Sequence, residues 1–267
     1  MTALKSLVLV VAVAAGAATA AAARADSRVE LGVTAWDAQA SGNIHSTDPS
    51  SPNTPVDLEN DLAMGRHANG GVHLVLRSGL PFLPDLRLQY DHVMSDGDTR
   101  LNKDVVWGGT IYTAKGRVKS QAELKSGRVV FFWNPLDNPV VNLRLGVEAR
   151  WFSINVPLSG TAVRTNPPTP SFQASTSGGG VSWLPMANAG LTVHLPAGFD
   201  LVGEGSYTRY SGSYAYDARA GVKYHADFGL VVSAGWRRLR LHLDDTSFSV
   251  NGTVNFSGPY ASVGFAF

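Results

Sequence analysis

The chain has 267 residues, no cysteine and a formal net charge of +1. Without cysteine it has no disulfide framework and no thiolate metal site, and the small net charge gives no general attraction to nucleic acid. Glycine is abundant, at 28 residues, and no long amphipathic helical pattern accompanies it, so an all-β class is expected.

The N-terminal residues predict a secretory signal peptide over residues 1–25. A single cation, Lys5, precedes an uncharged stretch at 6–23 with an apolar centre at 7–13. Ala23-Arg24-Ala25 follows, so cleavage is expected after Ala25. A retained membrane anchor is the alternative, but the second half of the stretch is mostly Ala and Gly, which is too weakly apolar to hold a helix in lipid. Residues 26–267 then form the exported domain.

Nothing after Asp26 offers the run of about 20 apolar residues that a membrane-spanning helix needs. A mature chain in a membrane must therefore be a closed β-barrel. Several segments alternate at the period of two that a strand requires. In 141–152 an apolar set, Val141, Leu143, Leu145, Val147, Ala149 and Trp151, alternates with Asn142, Arg144, Gly146, Glu148, Arg150 and Phe152.

Ten strands are predicted, with eight or twelve as alternatives because 105–112 could add a strand and 247–256 could pair separately. An even number is expected, since both termini should lie on the periplasmic side. In chain order the predicted strands are 27–38, 69–78, 85–94, 118–133, 140–154, 181–195, 200–210, 213–225, 230–243 and 254–267.

The connections between these strands alternate in length. Four are short and rich in Pro, Gly, Asn or Asp, which favour turns, at 79–84, 134–139, 196–199 and 226–229. Three are long, at 39–68, 95–117 and 155–180. Short periplasmic turns and long external loops are typical of outer-membrane barrels. The sequence therefore predicts a closed, antiparallel, up-and-down transmembrane β-barrel.

Aromatic residues and the C-terminus favour the same interpretation. Phe265 and Phe267 end an alternating strand, which resembles the terminal assembly signal of outer-membrane proteins. Other aromatics fall toward predicted strand ends, where girdles meet lipid headgroups, although an ordinary aromatic core is the alternative. The expected girdle residues are Trp36, Tyr90, Phe131, Trp133, Trp151, Trp183, Tyr207, Tyr210, Tyr214, Tyr224 and Trp236.

Residues 70–90 read Gly-Gly-Val-His-Leu-Val-Leu-Arg-Ser-Gly-Leu-Pro-Phe-Leu-Pro-Asp-Leu-Arg-Leu-Gln-Tyr. This segment resembles a family of small proteobacterial outer-membrane β-barrel proteins of unassigned function, with the turn at 80–84 as the most specific piece. The similarity extends through 56–62, 136–139, 234–237, 258–260 and the terminal Phe267. It implies location and fold, with an architecture like that of outer membrane protein W, and it carries over no catalytic or binding residue. The family favours bulkier residues before this turn, whereas this chain has Arg77-Ser78-Gly79 there.

One face of the predicted strands places charges of both signs inside the barrel. A barrel of about eight strands can be filled by side chains alone, and buried charges persist only when they are paired. A lumen plugged by ion pairs is therefore favoured over a narrow water path, and a wide porin is not expected. The predicted lumen charges are Arg87, Asp91, Glu123, Arg128, Arg144, Glu148, Arg150, Glu204, Asp217, Arg219, Lys223 and Arg237.

Other candidate sites have simpler explanations. The seven histidines lack metal-binding spacing, and Asp96-Gly97-Asp98 lacks the later ligands of a calcium loop and is expected to be a loop turn. The acidic stretch at 57–61 could hold divalent cations near lipopolysaccharide, but a solvated loop is favoured. The glycines at 178–180 precede a strand and are expected to end a loop. The sequence has no nucleophile signature such as Gly-x-Ser-x-Gly, so no enzyme activity is expected. No metal or cofactor is expected either.

Two functions follow as hypotheses. The first is a structural or surface-interaction barrel with a plugged lumen. The second is a narrow channel for passive uptake or efflux of small molecules. The expected partners are outer-membrane lipid, lipopolysaccharide and the barrel assembly machinery, and the chain is expected to be a monomer.

Overall fold

The computed structural model describes residues 28–46, 55–80, 82–107, 110–112, 114–163, 172–210, 212–244 and 250–267. The expected signal peptide lies outside these residues. Within them, one 3₁₀ turn occurs at Pro196–Gly198, and no helix has the length and apolar character of a transmembrane span. The strands are β1 Val29–Ser41, β2 Asn43–Ser46, β3 Val56–Asp57, β4 Arg66–Leu76, β5 Asp85–Arg100, β6 Val105–Trp107, β7 Thr110–Tyr112, β8 Arg117–Asp137, β9 Val141–Val163, β10 Phe172–His194, β11 Phe199–Tyr210, β12 Ser213–His225, β13 Leu230–Leu243 and β14 Val250–Ala266.

Ten strands form the wall of a closed antiparallel barrel. Each wall strand pairs with its neighbours in sequence, in the order β1, β4, β5, β8, β9, β10, β11, β12, β13, β14, and β1 pairs with β14 to close the cylinder. The strands at Ser213–His225 and Leu230–Leu243 have the predicted bounds. The prediction of a closed ten-stranded up-and-down barrel is confirmed.

Several wall strands extend beyond their predicted ends on the long-loop side. β9 ends at Val163 and β10 begins at Phe172. Most of the expected loop at 155–180, including the glycines at 178–180, is therefore strand. The alternation continues there, since Val156 and Leu158 are buried. Asp96-Gly97-Asp98 lies within β5 rather than in a loop turn. Within 105–112, β6 and β7 pair with each other, and β7 also pairs with β9 near the rim.

The two ends of the barrel differ. The end with both termini carries the short turns, which face the periplasm in outer-membrane barrels, and we call it the periplasmic end. At Asn138 a side-chain oxygen accepts hydrogen bonds from the backbone N–H groups of Val140 and Val141, at 2.9 and 2.8 Å. The opposite end carries the segments 42–65 and 101–116 and is called extracellular.

Outward side chains form an apolar belt, as a lipid-facing surface requires. Val147, Val181 and Leu201 expose 57%, 62% and 47% of their surface. The exposed aromatics include Tyr90, Phe131, Trp133, Trp183, Tyr207, Tyr210, Tyr224 and Trp236. Trp36 was wrongly assigned to the girdle, because it is only 2% exposed. It shares the inner face of β1 with Glu30, so residue parity alone could have placed it inside.

Candidate functional site

The middle of the barrel is filled by polar and charged side chains that seven neighbouring wall strands supply. Because every second residue of a strand points inward, each strand contributes one or two members at this level. We call this set the ion-pair layer. Its members are Gln89, Asp91, Arg128, Glu148, Arg150, Asn188, Ser206, Asp217 and Arg237.

Hydrogen bonds connect the ion-pair layer across the lumen. Arg237 donates to Asp91 at 2.8 Å and to both oxygens of Asp217 at 3.0 and 2.8 Å. Arg150 donates to Asp217 at 2.8 Å and also to Glu148. The guanidinium of Arg237 lies 4.5 Å from the ring centroid of Trp36. Charges on opposite walls are therefore linked directly.

A second chain of bonds completes the layer. Ser206 donates to Glu148 at 2.6 Å and accepts from Asn188 at 2.9 Å. Gln89 donates to Asp91 at 2.9 Å, and its amide oxygen accepts from Arg128 at 3.0 Å. The side chains of Arg150 and Glu148 are both 0% exposed. The centre of the ion-pair layer is therefore buried.

Apolar side chains fill the extracellular half above the ion-pair layer. Leu58 and Leu62, from the segment between β3 and β4, enter the barrel and are 0% exposed. The paired strands β6 and β7 add Trp107, whose indole N–H donates to the Val156 carbonyl at 3.2 Å, and Tyr112, whose hydroxyl donates to the Leu158 carbonyl at 3.0 Å. These and the other buried residues of the same cluster form what we call the apolar cap.

The acidic stretch at 57–61 holds the cap in place. Asp57 accepts hydrogen bonds from the backbone N–H groups of Glu59 and Asn60, at 2.9 and 2.7 Å. Asp61 accepts from the Asp57 N–H at 2.9 Å and pairs with Lys103 at 2.8 Å. Partial burial acts to raise the pKa of Asp57, but these N–H donors and the nearby Lys103 charge hold that pKa below its usual value. The stretch is a structured turn, and no cluster of metal-ligating side chains occurs among the described residues.

Below the ion-pair layer the lumen opens into a cavity, in two connected parts, that we call the vestibule. An inner cavity of about 420 Å³ reaches Glu204 and Arg219, and an outer cavity of about 830 Å³ continues it to the periplasmic turns. At its wall Glu30 pairs with Lys223 at 3.0 Å and with Arg77 at 3.1 Å. The vestibule is therefore polar and ends blindly at the ion-pair layer.

Eleven of the twelve predicted lumen charges point inward in the structure, and Glu123 does not. Glu123 and Arg128 lie an odd number of residues apart on β8, so a regular strand directs them to opposite faces. On the outer face Glu123 contacts His92 at 2.8 Å and Lys125 at 2.9 Å. The eleven inward residues divide between the ion-pair layer, which holds Asp91, Arg128, Glu148, Arg150, Asp217 and Arg237, and the vestibule, which holds Arg87, Arg144, Glu204, Arg219 and Lys223.

Glu30 was not predicted as a lumen charge, although it alternates with Val29 and Leu31 on the first strand and is 5% exposed. Asp200 was also not predicted, and it bridges His194 at 2.8 Å and His225 at 3.0 Å near the vestibule rim. Strand parity would have found both residues.

The outer surface carries a group of cations above the aromatic belt on β11 to β13. Arg209, Arg238 and Arg240 point outward, and none has an acidic partner within 4 Å in the described part of the chain. Arg240 pairs in register with Tyr216, and its guanidinium lies 5.7 Å from the ring centroid of Tyr214. We call the three arginines the arginine patch.

Comparison with solved structures identifies the architecture. The outer-membrane protease OmpT of Escherichia coli aligns with a TM-score of 0.56 and 11% identity, over 90% of this chain and 96% of that one. The fold is that of an outer-membrane β-barrel. The toluene transporter TodX of Pseudomonas putida aligns with a TM-score of 0.38 and 8% identity, over 91% of each chain. The attachment invasion protein Ail of Yersinia pestis aligns with a TM-score of 0.35 and 11% identity, over 89% of this chain and 99% of that one.

At such low identities the comparisons show the fold alone, and no conclusion is drawn from the alignments with TodX and Ail. No protein-family description matches this sequence, and no curated protein matches it. The resemblance to a specific family of small barrels stays a prediction.

Proposed function

We propose that this protein is a closed outer-membrane barrel that acts through its outer surface and external loops. The observation that carries the proposal is the pair of buried layers in the lumen. A continuous water path would leave side chains exposed at every level, but Arg150 in the ion-pair layer and Leu58 and Leu62 in the apolar cap are 0% exposed. A structural or surface-interaction role is favoured for this reason.

The arginine patch supports lipopolysaccharide as the partner. Arg238 and Arg240 follow Trp236 by two and four residues on β13, so they lie about 7 and 13 Å further along the strand toward its extracellular end. Trp side chains mark the membrane interface, and the phosphate groups of lipopolysaccharide lie at this level in the outer leaflet. Guanidinium groups bind phosphate bidentately, so three arginines that have no acidic partner among the described residues suit this ligand.

The surface below the patch suits acyl chains. Gly205 and Ala218 pair in register beside Arg238, and Gly203 and Ala220 pair beside Trp236. A Cβ atom at Gly203 would meet nothing within 4 Å, so the wall is recessed there. A lipid with a phosphorylated headgroup requires phosphate-binding side chains above an apolar surface, and the arginine patch and the small residues below it provide both.

A direct test compares two triple variants of the refolded protein in detergent. Arg209→Gln/Arg238→Gln/Arg240→Gln removes the patch, and Arg117→Gln/Lys119→Gln/Lys125→Gln removes the same charge from β8, where Asp98 and Glu123 already pair with Arg117 and Lys125. Binding of lipopolysaccharide is measured by titration. We expect at least about tenfold weaker binding for the patch variant, as for the loss of hydrogen bonds to charged groups, and little change for the control. Equal weakening in both variants, or unchanged binding of dephosphorylated lipopolysaccharide, contradicts the assignment.

The second candidate function is a narrow channel for small molecules. The vestibule favours it, because a polar cavity already enters the barrel from the periplasmic end. Conduction would require displacement of both the apolar cap and the ion-pair layer.

A further inference from the structure

The vestibule floor holds a cluster of arginines. Arg87, Arg144 and Arg219 line the inner cavity, and each donates a single hydrogen bond, in every case to the same oxygen, Glu204 Oε2. The donor to acceptor distances are 3.4 Å from Arg144 and 2.7 Å from Arg219, and the contact from Arg87 is also short. Arg128 of the ion-pair layer also lies 3.3 Å from Glu204 Oε1 and 3.7 Å from Glu148, so four guanidinium groups surround the Glu204 carboxylate.

The donors of these arginines exceed the acceptors that the described residues offer. A guanidinium carries five N–H groups, and the Nε–H groups of Arg87 and Arg144 are buried without an acceptor. The ion-pair layer contrasts with this arrangement, since Arg237 alone donates three hydrogen bonds to two carboxylates. Glu204 Oε1 is the one buried carboxylate oxygen of the floor that also has no hydrogen bond among the described residues, so the floor combines guanidinium donors without acceptors with a single carboxylate.

The other carboxylates that line the inner cavity belong to Glu30, Asp85, Asp137 and Asp200, and each has its own partners. Glu30 is engaged by Lys223 and Arg77, and Asp85 accepts from the Ser78 N–H at 2.8 Å and from the Asn134 amide at 3.0 Å. Asp137 accepts from the Asn142 amide at 3.0 Å, and Asp200 contacts His194 and His225. None of these carboxylates pairs with Arg87, Arg144 or Arg219 in the described part of the chain.

We propose that the vestibule floor is a binding site for a small oxyanion of the phosphate class, free or as a phosphate ester, that enters from the periplasm. Phosphate oxygens accept several hydrogen bonds from guanidinium forks, so a phosphate group would supply acceptors for the buried N–H groups of Arg87 and Arg144. The inner cavity of about 420 Å³ exceeds the roughly 30 Å³ that a single water occupies in the liquid, so it has room for such a group. This site is independent of the arginine patch and lies at the opposite end of the barrel.

Isothermal titration of the refolded full-length mature barrel with inorganic phosphate tests the site, with chloride adjusted to hold ionic strength constant. We expect saturable binding that Arg144→Gln weakens by roughly tenfold or more, because it removes a hydrogen bond to a charged group. Glu204→Gln should tighten binding, since it removes the competing carboxylate. Arg117→Gln, which removes one positive charge from the outer face, should have no effect.

A second variant covers the case in which Arg144→Gln does not refold. Arg219→Lys keeps the charge and removes the planar fork, so weaker phosphate binding is again expected. Tighter binding of glycerol 3-phosphate than of inorganic phosphate would indicate an ester ligand, and the reverse order would indicate the free ion. Absence of saturable binding to the wild-type protein overturns the proposal, as does binding that neither Arg144→Gln, Arg219→Lys nor Glu204→Gln alters.

Discussion

Arg237 holds Asp217 through two parallel hydrogen bonds, from Nε to Oδ1 at 3.0 Å and from Nη2 to Oδ2 at 2.8 Å. The side chains of both residues are less than 5% exposed. The same geometry occurs on the surface, where Arg117 binds Asp98 with two contacts of 2.7 Å. Burial is therefore the main difference between these two pairs.

Replacing Asp217 tests the energetic importance of the ion-pair layer. Asp217→Asn leaves the Arg237 and Arg150 charges without their shared carboxylate, and we expect it to lower the free energy of unfolding by about 3–5 kcal/mol. Asp98→Asn breaks an exposed pair that solvent screens, so it should cost far less. Urea unfolding of the refolded barrels, followed by heat-modifiable gel mobility, measures both. Similar costs for the two variants would contradict a closed, dry layer.

Outward-facing positions test the lipid-facing belt. Val147→Arg places a charge in the middle of the belt, where Arg costs about 2–4 kcal/mol. Gln121→Arg lies on the same outer face, on the part of β8 that extends toward the extracellular end, and should be tolerated. Folding yield into lipid vesicles distinguishes them, and equal yields would show that the belt is misplaced.

Gly97 tests how the apolar cap is seated. A Cβ atom at Gly97 would lie 2.0 Å from the Leu62 carbonyl oxygen, so Gly97→Val should displace the segment at 57–65. Gly203→Val is the matched control, because a Cβ atom there meets nothing within 4 Å. We expect external protease to cleave the Gly97→Val protein in this segment on intact cells, while the Gly203→Val protein stays resistant. Resistance of both variants would argue against the inserted cap.

The C-terminal residue has two separable roles. Phe267 exchanges backbone hydrogen bonds with Val29, at 3.0 and 2.9 Å, and its side chain belongs to the expected assembly signal. Deletion of Phe267 removes both contributions and should reduce outer-membrane levels strongly. Phe267→Ala keeps the backbone bonds, so a similar reduction would assign the effect to recognition by the assembly machinery. Normal levels of the deletion variant would contradict both roles.

Sequence alternation predicted the wall strands because each buried face repeats with period two. It also predicted eleven inward charges, such as Arg150 and Asp217. It did not predict the apolar cap, since Leu58, Leu62 and Trp107 lie in segments without periodicity and are buried only by long-range packing. The ends of β9 and β10 were also not predicted, because Ser, Thr and Gly dominate the start of β10 and Pro157 interrupts the end of β9, a composition typical of a loop. The partition of the lumen charges into a buried layer and a vestibule with clustered arginines depends on register between strands, which a single sequence does not contain.

The measurement that tests the central claim most directly is single-channel conductance of the refolded mature protein in a planar bilayer, with insertion verified by heat-modifiable gel mobility. The closed lumen predicts no reproducible conductance steps from inserted wild-type protein. Discrete, reproducible steps would contradict it and would favour the narrow channel.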